Sequence, residues 1–451
     1  MYRDLFEKWI FLESRRLNGK KRNYKHFDNR INLRSIKNLK SKLSPEKIAK
    51  HSFYPLINMK ISTPRYKKDE FGNRKKEMKI RPISYASHFD SLIYSYYSFI
   101  LSEAYEVLIQ KLGVSDSVLA YLKKGKSNID FAFDIFNQIS ERSECVAITA
   151  DITGFFDNLD HQILKEHWAR VCGTNVLGAD HYNIYKSLTK FSVVEKEALD
   201  KLFINPTLKQ QNLRYCTPSE FRNIVRKSGM ISVNCHKNKI FGSERFNKLS
   251  GIPQGTPISA VLSNIYMIEF DSQMVAFAKS NKLIYRRYCD DILLICDKLN
   301  YNLSKEFLLK QIKSFELEIN DSKTLVIEFS LDNTGVLKAK DHNGQSNNLQ
   351  YLGFEYDGTN IYVRSSSISR YKRRLKSALK KGKKAAIGKN SMGDTIFLKK
   401  IYRRFGASGN RNFLSYVIRS KRVMDNSQSL KKQYKRCIRK LLIITKLKML
   451  D

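Results

Sequence analysis

The alternation of apolar and polar residues along this chain changes character several times, and each change predicts an element. Near the start, Leu5, Phe6, Trp9, Ile10 and Phe11 form an amphipathic pattern, which predicts a short helix in an otherwise polar, basic stretch. Arg65-Tyr66-Lys67-Lys68 and Arg74-Lys75-Lys76 flank Gly72, the pattern of a basic β-hairpin. From Asp90 through Leu92, Ile93, Tyr96, Tyr97 and Ile100 the period is helical. Cys145-Val-Ala-Ile-Thr-Ala-Asp151 is a continuous apolar run ending in a carboxylate, which predicts a buried strand. Residues 162–248 are mixed and mostly helical. Pro257 then stands where proline is favoured, at the first turn of a long helix expected over residues 258–279. Two short apolar strands, residues 283–288 and 292–296, follow, joined as a tight hairpin through Cys289-Asp290-Asp291-Ile292.

Charge changes the picture. Lys and Arg total 82 against 43 Asp and Glu, a net charge of +39. Such a surface implies a polyanionic partner, nucleic acid before an anionic membrane. Residues 371–451 carry 25 Lys and Arg against 3 Asp, so more than half of the excess sits in that tail. Leu375, Leu379, Ile401, Tyr402, Phe405, Phe413, Leu414, Val417, Ile418 and residues 441–444 interleave it with apolar positions, which favours a folded basic helical domain over a disordered arm. With 42% hydrophobic residues the chain can build a substantial core. Its seven cysteines are odd in number and lack CxxC spacing, which speaks against a disulfide framework or a zinc module. No apolar run approaches the ~20 residues of a membrane span. No signal-peptide pattern opens the chain, so a cytoplasmic protein without membrane contact is expected.

Three aspartates stand out by context. Asp151 ends one apolar strand, and Asp290 and Asp291 sit between two others. Carboxylates beside buried strands need compensation. Divalent cations would supply it, and three such carboxylates can hold two Mg²⁺ ions roughly 3.5–4 Å apart for in-line phosphoryl transfer. By itself an Asp-Asp pair is as well explained by an ordinary β-turn, because Asp favours turns.

The surrounding motifs decide between these readings. Lys79-Ile-Arg81-Pro82, Asp151-Ile-Thr-Gly-Phe-Phe156-Asp157, Gly251-Ile-Pro-Gln-Gly-Thr-Pro257, Tyr288-Cys-Asp-Asp291, Asn320-Asp-Ser-Lys323-Thr and Leu349-Gln-Tyr-Leu-Gly-Phe354 occur in this order. Together they resemble the blocks of bacterial reverse transcriptases of the retron and group II intron group, over roughly residues 75–358. The resemblance is greatest to stand-alone, defence-associated enzymes (type 2). It implies an α+β right-hand polymerase: an N-terminal extension over residues 1–60, fingers with part of the palm over 61–145, palm over 146–358 with a largely helical insertion at about 162–248, and a basic helical thumb over 359–451.

Roles follow from the resemblance residue by residue. Asp151, Asp290 and Asp291, with the Ile152 carbonyl, are similar to ligands of two Mg²⁺ ions, for which Mn²⁺ could substitute. Lys79 and Arg81 are candidates to hold the incoming triphosphate, although a solvated hairpin face accounts for them too. Phe156 resembles the steric gate that clashes with a ribose 2′-hydroxyl and so selects dNTPs; core packing is its alternative. Gln254 resembles the residue lying along the nucleotide, and Gly255 would let backbone approach the base pair. Lys323 resembles a lysine that protonates departing pyrophosphate, or is a plain surface lysine. Tyr351, Leu352 and Gly353 resemble the primer grip. Tyr371, Tyr402 and Tyr416 could stack on bases or pack between thumb helices.

The implied partners are an RNA template, a structured non-coding RNA in the defence setting, the RNA–DNA duplex and dNTPs. Departures exist. Cys289 stands where alanine is common in the bacterial group and is expected to pack beneath the turn. The Asn-Ala-x-x-His and Val-Thr-Gly elements of retron enzymes, and a His/Asn endonuclease motif, are not seen. The function expected is RNA-directed DNA synthesis in anti-phage defence. A retron-like or group II-like enzyme, a viral-type RNA polymerase and a non-catalytic nucleic-acid scaffold are the alternatives.

Overall fold

A computed structural model describes residues 2–17, 24–29, 31, 36–68, 73–203, 214–233, 239–241, 244–246, 250–387, 398–407, 409–425 and 427–447. Gly72, Cys235, Leu249 and the side chains of Ile443 and Ile444 lie outside what is described. The chain divides into two compact units: residues 1–122, 152–275 and 310–318 form one, and residues 123–151, 276–309 and 319–451 form the other.

The second unit is organised by a five-stranded sheet. Its order is Leu337–Asp341, Leu325–Leu331, Cys145–Asp151, Asp291–Cys296, Ile284–Tyr288, with every neighbour antiparallel. Cys145–Asp151 is central, and all of its residues but Asp151 are buried, as a strand covered on both faces requires. The helix Asn128–Arg142 presents Ile129, Ala132, Ile135, Phe136 and Ile139, a stripe at three- and four-residue spacing, to the core with Ala147, Leu293, Ile295, Ile327 and Phe329. A second, three-stranded sheet (Leu349–Tyr351, Phe354–Tyr356, Ile361–Val363) adds Tyr351, Phe354 and Tyr356 to the same core.

The basic tail is folded and helical, as its apolar spacing predicts, with helices Ser365–Ile387, Leu398–Phe405, Phe413–Val423 and Gln428–Leu447. Tyr371, Leu375, Leu379, Ile401, Phe405, Leu414, Cys437 and Leu441 form its core. Tyr371 belongs to that core: it is buried, donates its hydroxyl to the Phe405 carbonyl at 2.9 Å and stacks on Phe413. Packing thus holds it away from any base. Leu442, expected in the apolar set, is exposed instead.

The first unit is built around a long hairpin, Leu56–Lys68 with Arg74–Tyr85, in the expected antiparallel register from Ile57↔Tyr85 to Lys68↔Arg74. Its sheet gains a strand the sequence pattern did not expose. Ser192–Glu195 runs parallel to Leu56–Asn58, and Ser232–Val233 pairs with it in turn. Among the described residues of the 162–248 segment, helices therefore alternate with short strands. Phe27, Ile57, Val194, Leu199, Tyr215, Cys216 and Val225 pack together beneath this sheet.

Two helices differ from expectation. The N-terminal helix is longer, Tyr2–Leu17; Phe6, Trp9 and Ile10 are buried, whereas Phe11 faces solvent. The helix after Pro257 is two helices, Ser259–Tyr266 and Ile268–Ser280. At Met267 the backbone flattens to ψ 6° and its N–H bonds the Asn264 carbonyl in a tighter turn, interrupting the ladder. No described helix is long and apolar enough to cross a membrane.

Candidate active site

The strand register brings the three aspartates together. Asp151, the last residue of the central strand, is the cross-strand partner of Asp291, and Asp291 in turn pairs with Tyr288. Cys289 and Asp290 alone form the loop of this hairpin, one residue pair tighter than the sequence suggests, so Asp291 opens a strand while Asp290 sits on the turn. A two-residue loop needs positive φ. Cys289 supplies it at φ 60° although it is not glycine. Its side chain is buried, as expected for a residue packing under the turn. Its carbonyl accepts a hydrogen bond from Arg287 Nη1 at 3.1 Å, and Arg287 is itself fully buried. Arginine is almost never this buried unless paired. Its place beneath the turn was not singled out from sequence, where it was one more basic residue.

Electrostatics mark Asp290 and Asp291. Burial raises the Asp290 carboxyl above its ordinary range, and the neighbouring Asp151 adds to it. Asp291 is pushed up to about 6, first by desolvation, then by Asp290 and Asp151, with Lys323 and Arg364 opposing. Asp291 keeps an exposed edge, so the desolvation comes from the protein crowding its inner side. Carboxyls raised by burial and by a neighbouring carboxylate mark a cluster short of positive charge.

Lys323 provides some. Its ammonium pairs with Oδ1 of Asp151. The pairing is built by backbone: the Asn320 N–H donates to the Asp151 carbonyl at 2.8 Å, and Asp321–Lys323 forms a 3₁₀ turn. A hard, all-oxygen donor set in which Asp290 and Asp291 are raised by burial and by neighbouring carboxylates fits divalent cations of the Mg²⁺ type. The set is not closed into a ligand cage: among the described residues, no three His, Cys, Asp or Glu side chains are disposed to hold a metal ion as they stand.

Tyr351, Leu352 and Gly353 also belong to this unit, but not as three equivalent contacts. Tyr351 points into the core, its hydroxyl buried with no hydrogen-bond partner among the described residues. Leu352 and Gly353 form the turn, at φ 44° and φ 93°.

The residues expected at the nucleotide lie in the other unit. Lys79 and Arg81 are two apart on one strand and so share a face of the hairpin, opposite Thr63 and Ile61, while Met78, Ile80 and Pro82 take the other face. Phe156 is half-buried beside the fully buried Phe155, ring centroids 5.6 Å apart, so Phe155 does the core packing and Phe156 retains free surface. The side chain of Ile152 is buried.

The Gly251–Pro257 loop is tied to both neighbouring elements. The Ile252 N–H donates to the Phe156 carbonyl and the Gly251 N–H to the Leu159 carbonyl, both at 2.8 Å. The Ser84 N–H donates to the Gln254 carbonyl at 2.7 Å. A Cβ on Gly255, at φ 113°, would stand 2.7 Å from the Ser84 carbonyl oxygen. The close approach that demands glycine here is to the hairpin strand of its own unit.

A family model for reverse transcriptase (RNA-dependent DNA polymerase) matches residues 73–356. The chain belongs to the reverse transcriptase family. Among curated proteins it is similar to the retron Ec86 reverse transcriptase of Escherichia coli, at 32% identity over 105 residues, covering 23% of this chain and 29% of that protein. The match thus spans less than a third of the relative's length. Among solved structures it is similar to apo telomerase from Candida tropicalis, with a TM-score of 0.42 at 14% identity over 94% of this chain and 67% of that one. For telomerase from Candida albicans with a fragment of telomeric RNA, the values are 0.39 and 12% over 97% and 61%.

Proposed function

We propose that this member of the family is an RNA-directed DNA polymerase that adds dNTPs to a primer 3′ end using two divalent metal ions, Mg²⁺ by preference. The observation that carries the reading is the register setting Asp151 opposite Asp291, one residue from Asp290. Asp151, Asp290 and Asp291, with the Ile152 carbonyl, would hold the ions. When bound, the ions would supply Lewis-acid activation of the 3′-hydroxyl and neutralise charge on the leaving pyrophosphate.

The chain's own residues do the rest. Lys79 and Arg81 hold the triphosphate through charge-assisted hydrogen bonds. Gln254 lies along the nucleotide, and the Phe156 ring excludes a 2′-hydroxyl. Lys323 donates a proton to pyrophosphate, which requires it to leave Asp151. The Leu352–Gly353 turn places the primer end. Residues 359–451 act as a thumb that follows the duplex backbone, consistent with their charge. Fingers over residues 61–145 and palm over 146–358 complete the proposed division.

The wider role is carried over from the resemblance to stand-alone defence enzymes: copying a dedicated, structured non-coding RNA in the cytoplasm as part of anti-phage defence. A retron-type enzyme is the second reading, favoured by the aligned 105 residues.

Purified protein given a primed RNA template and Mg²⁺ is expected to incorporate dNTPs. Incorporation of ribonucleotides alone would defeat the reading, and unchanged biological activity of the Asp290→Asn, Asp291→Asn variant would favour a scaffold. Sequencing the copurifying nucleic acid tests the dedicated template; random transcripts would count against it.

A further inference from the structure

The Leu352–Gly353 turn adopts a conformation that a leucine disfavours, and such backbone persists only where its surroundings hold it. Two hydrogen bonds do so. The Arg364 N–H donates to the Gly353 carbonyl at 3.0 Å, and Nδ2 of Asn128 donates to the Leu352 carbonyl at 2.9 Å. The same Asn128 amide donates to the Tyr416 hydroxyl at 3.1 Å. Tyr416 in turn stacks on Phe354, the residue after the turn. Asn128 thus joins two segments 224 and 288 positions away in sequence.

Its own position is rigid. Asn128 is the first residue of the helix Asn128–Arg142, which starts in a capping box between Ser127 and Asp130 and is anchored by the buried stripe beginning at Ile129. Asn128, Leu352, Gly353 and Tyr416 line a cavity of about 460 Å³ to which Arg370 and Arg374 also contribute. The turn therefore borders a basic space, and of the two hydrogen bonds that hold it the one from a side chain is that of Asn128.

We propose that Asn128 is a positioning residue for the primer end, acting through the Leu352 carbonyl to fix the turn at residues 352–353. The inference rests on the reading above that this turn places the primer 3′ end. A purely structural role at the helix start makes the opposite prediction for one substitution. Aspartate in the first turn of a helix is favourable because of the helix dipole. Asn128→Asp keeps the shape and helps the helix, yet it replaces the donor with an acceptor facing the Leu352 carbonyl.

The test is steady-state primer extension with Asn128→Asp, Asn128→Ala and Asn128→Gln, beside thermal unfolding of each. Turnover is expected to fall about tenfold in the Asp and Ala variants, the scale of a small misplacement of a reacting group. KM for the primer–template should rise, KM for dNTP should hold, and the melting temperature of the Asp variant should match the parent. The Gln variant, which restores a donor on a longer arm, should recover part of the loss. Parent-like extension by Asn128→Asp overturns the proposal, as does activity lost only in step with folding across all three variants. If the parent protein incorporates no dNTP at all, it is the polymerase reading that fails.

Discussion

The two sets of residues assigned to the proposed reaction, one carboxylate half and one nucleotide half, are positioned by different means, each within its own unit. The carboxylate half sits where antiparallel strands end: Asp151 and Asp291 are neighbours because a buried central strand is hydrogen-bonded to the next in one register. A one-residue slip would turn every side chain of the strand to the opposite face, so packing of the core fixes the chemistry. The nucleotide half has no such frame. Lys79 and Arg81 ride on a long hairpin, the Phe156 carbonyl accepts a backbone hydrogen bond from the glycine-containing loop, and the Gln254 carbonyl in that loop accepts one from Ser84 on the hairpin. One half is fixed by side-chain burial, the other by close backbone contact. Substitutions should therefore damage them differently.

The largest effect is expected from Asp290→Asn with Asp291→Asn. It removes charge without removing volume, so the fold should hold, while primer extension should fall by about 10³-fold or more, comparable to deleting a main source of transition-state stabilisation. Extension above a tenth of the parent rate would show that this half is not the catalytic one. Next is Gly255→Ala, whose Cβ would meet the Ser84 carbonyl. The loop must shift, and a misplacement near 1 Å costs roughly 10²-fold in rate. A parent-like rate and melting temperature would mean the backbone contact does not fix this half.

Phe156→Val should act on selection more than on rate, lowering the preference for dNTP over rNTP by about 10- to 100-fold, as expected when one apolar contact discriminates. Competition assays with paired nucleotides measure it, and an unchanged ratio would return Phe156 to simple packing.

The smallest effect separates the units by stability. His26, in the first unit, is buried, with its Nδ1 accepting from the Phe27 N–H, and burial followed by the nearby His88 lowers its pKa to about 3. The unfolded chain binds a proton near pH 6.5, whereas the folded chain does not until about pH 3. Stability is therefore full above pH 6.5 and is lost as pH falls through that window. Between pH 7 and pH 5 the loss is about 2 kcal/mol for this one group. Denaturant unfolding at the two pH values checks it, and His26→Gln should flatten the dependence.

Much of the carboxylate half was legible in the sequence. The apolar run ending in Asp151 and the two runs around Asp290 and Asp291 are local patterns, and their strands form where expected, with the loop one pair tighter. The basic tail likewise announced its helices through apolar spacing. The nucleotide half was legible as motifs but not as contacts. Nothing local shows that Ser192–Glu195 joins the hairpin sheet in parallel, that Gly255 is required by Ser84, or that Tyr351 turns inward while Leu352 and Gly353 form the turn. Asn128 was invisible for the same reason, because its partners are more than 200 residues away.

The sequence by itself determined the strands that carry the three aspartates and the helical character of the basic tail, where positive charge accumulates, and which residue types could serve a two-metal polymerase. Periodicity and composition are properties of neighbouring residues, so a single chain carries them openly. Only the tertiary structure decided that Asp151 faces Asp291, that Lys323 rests on Asp151, that Arg287 supports the Cys289 turn, and that one asparagine holds Leu352 and Tyr416 together. Those are pairings between distant segments, fixed by strand register and core packing, which no local stretch of sequence encodes.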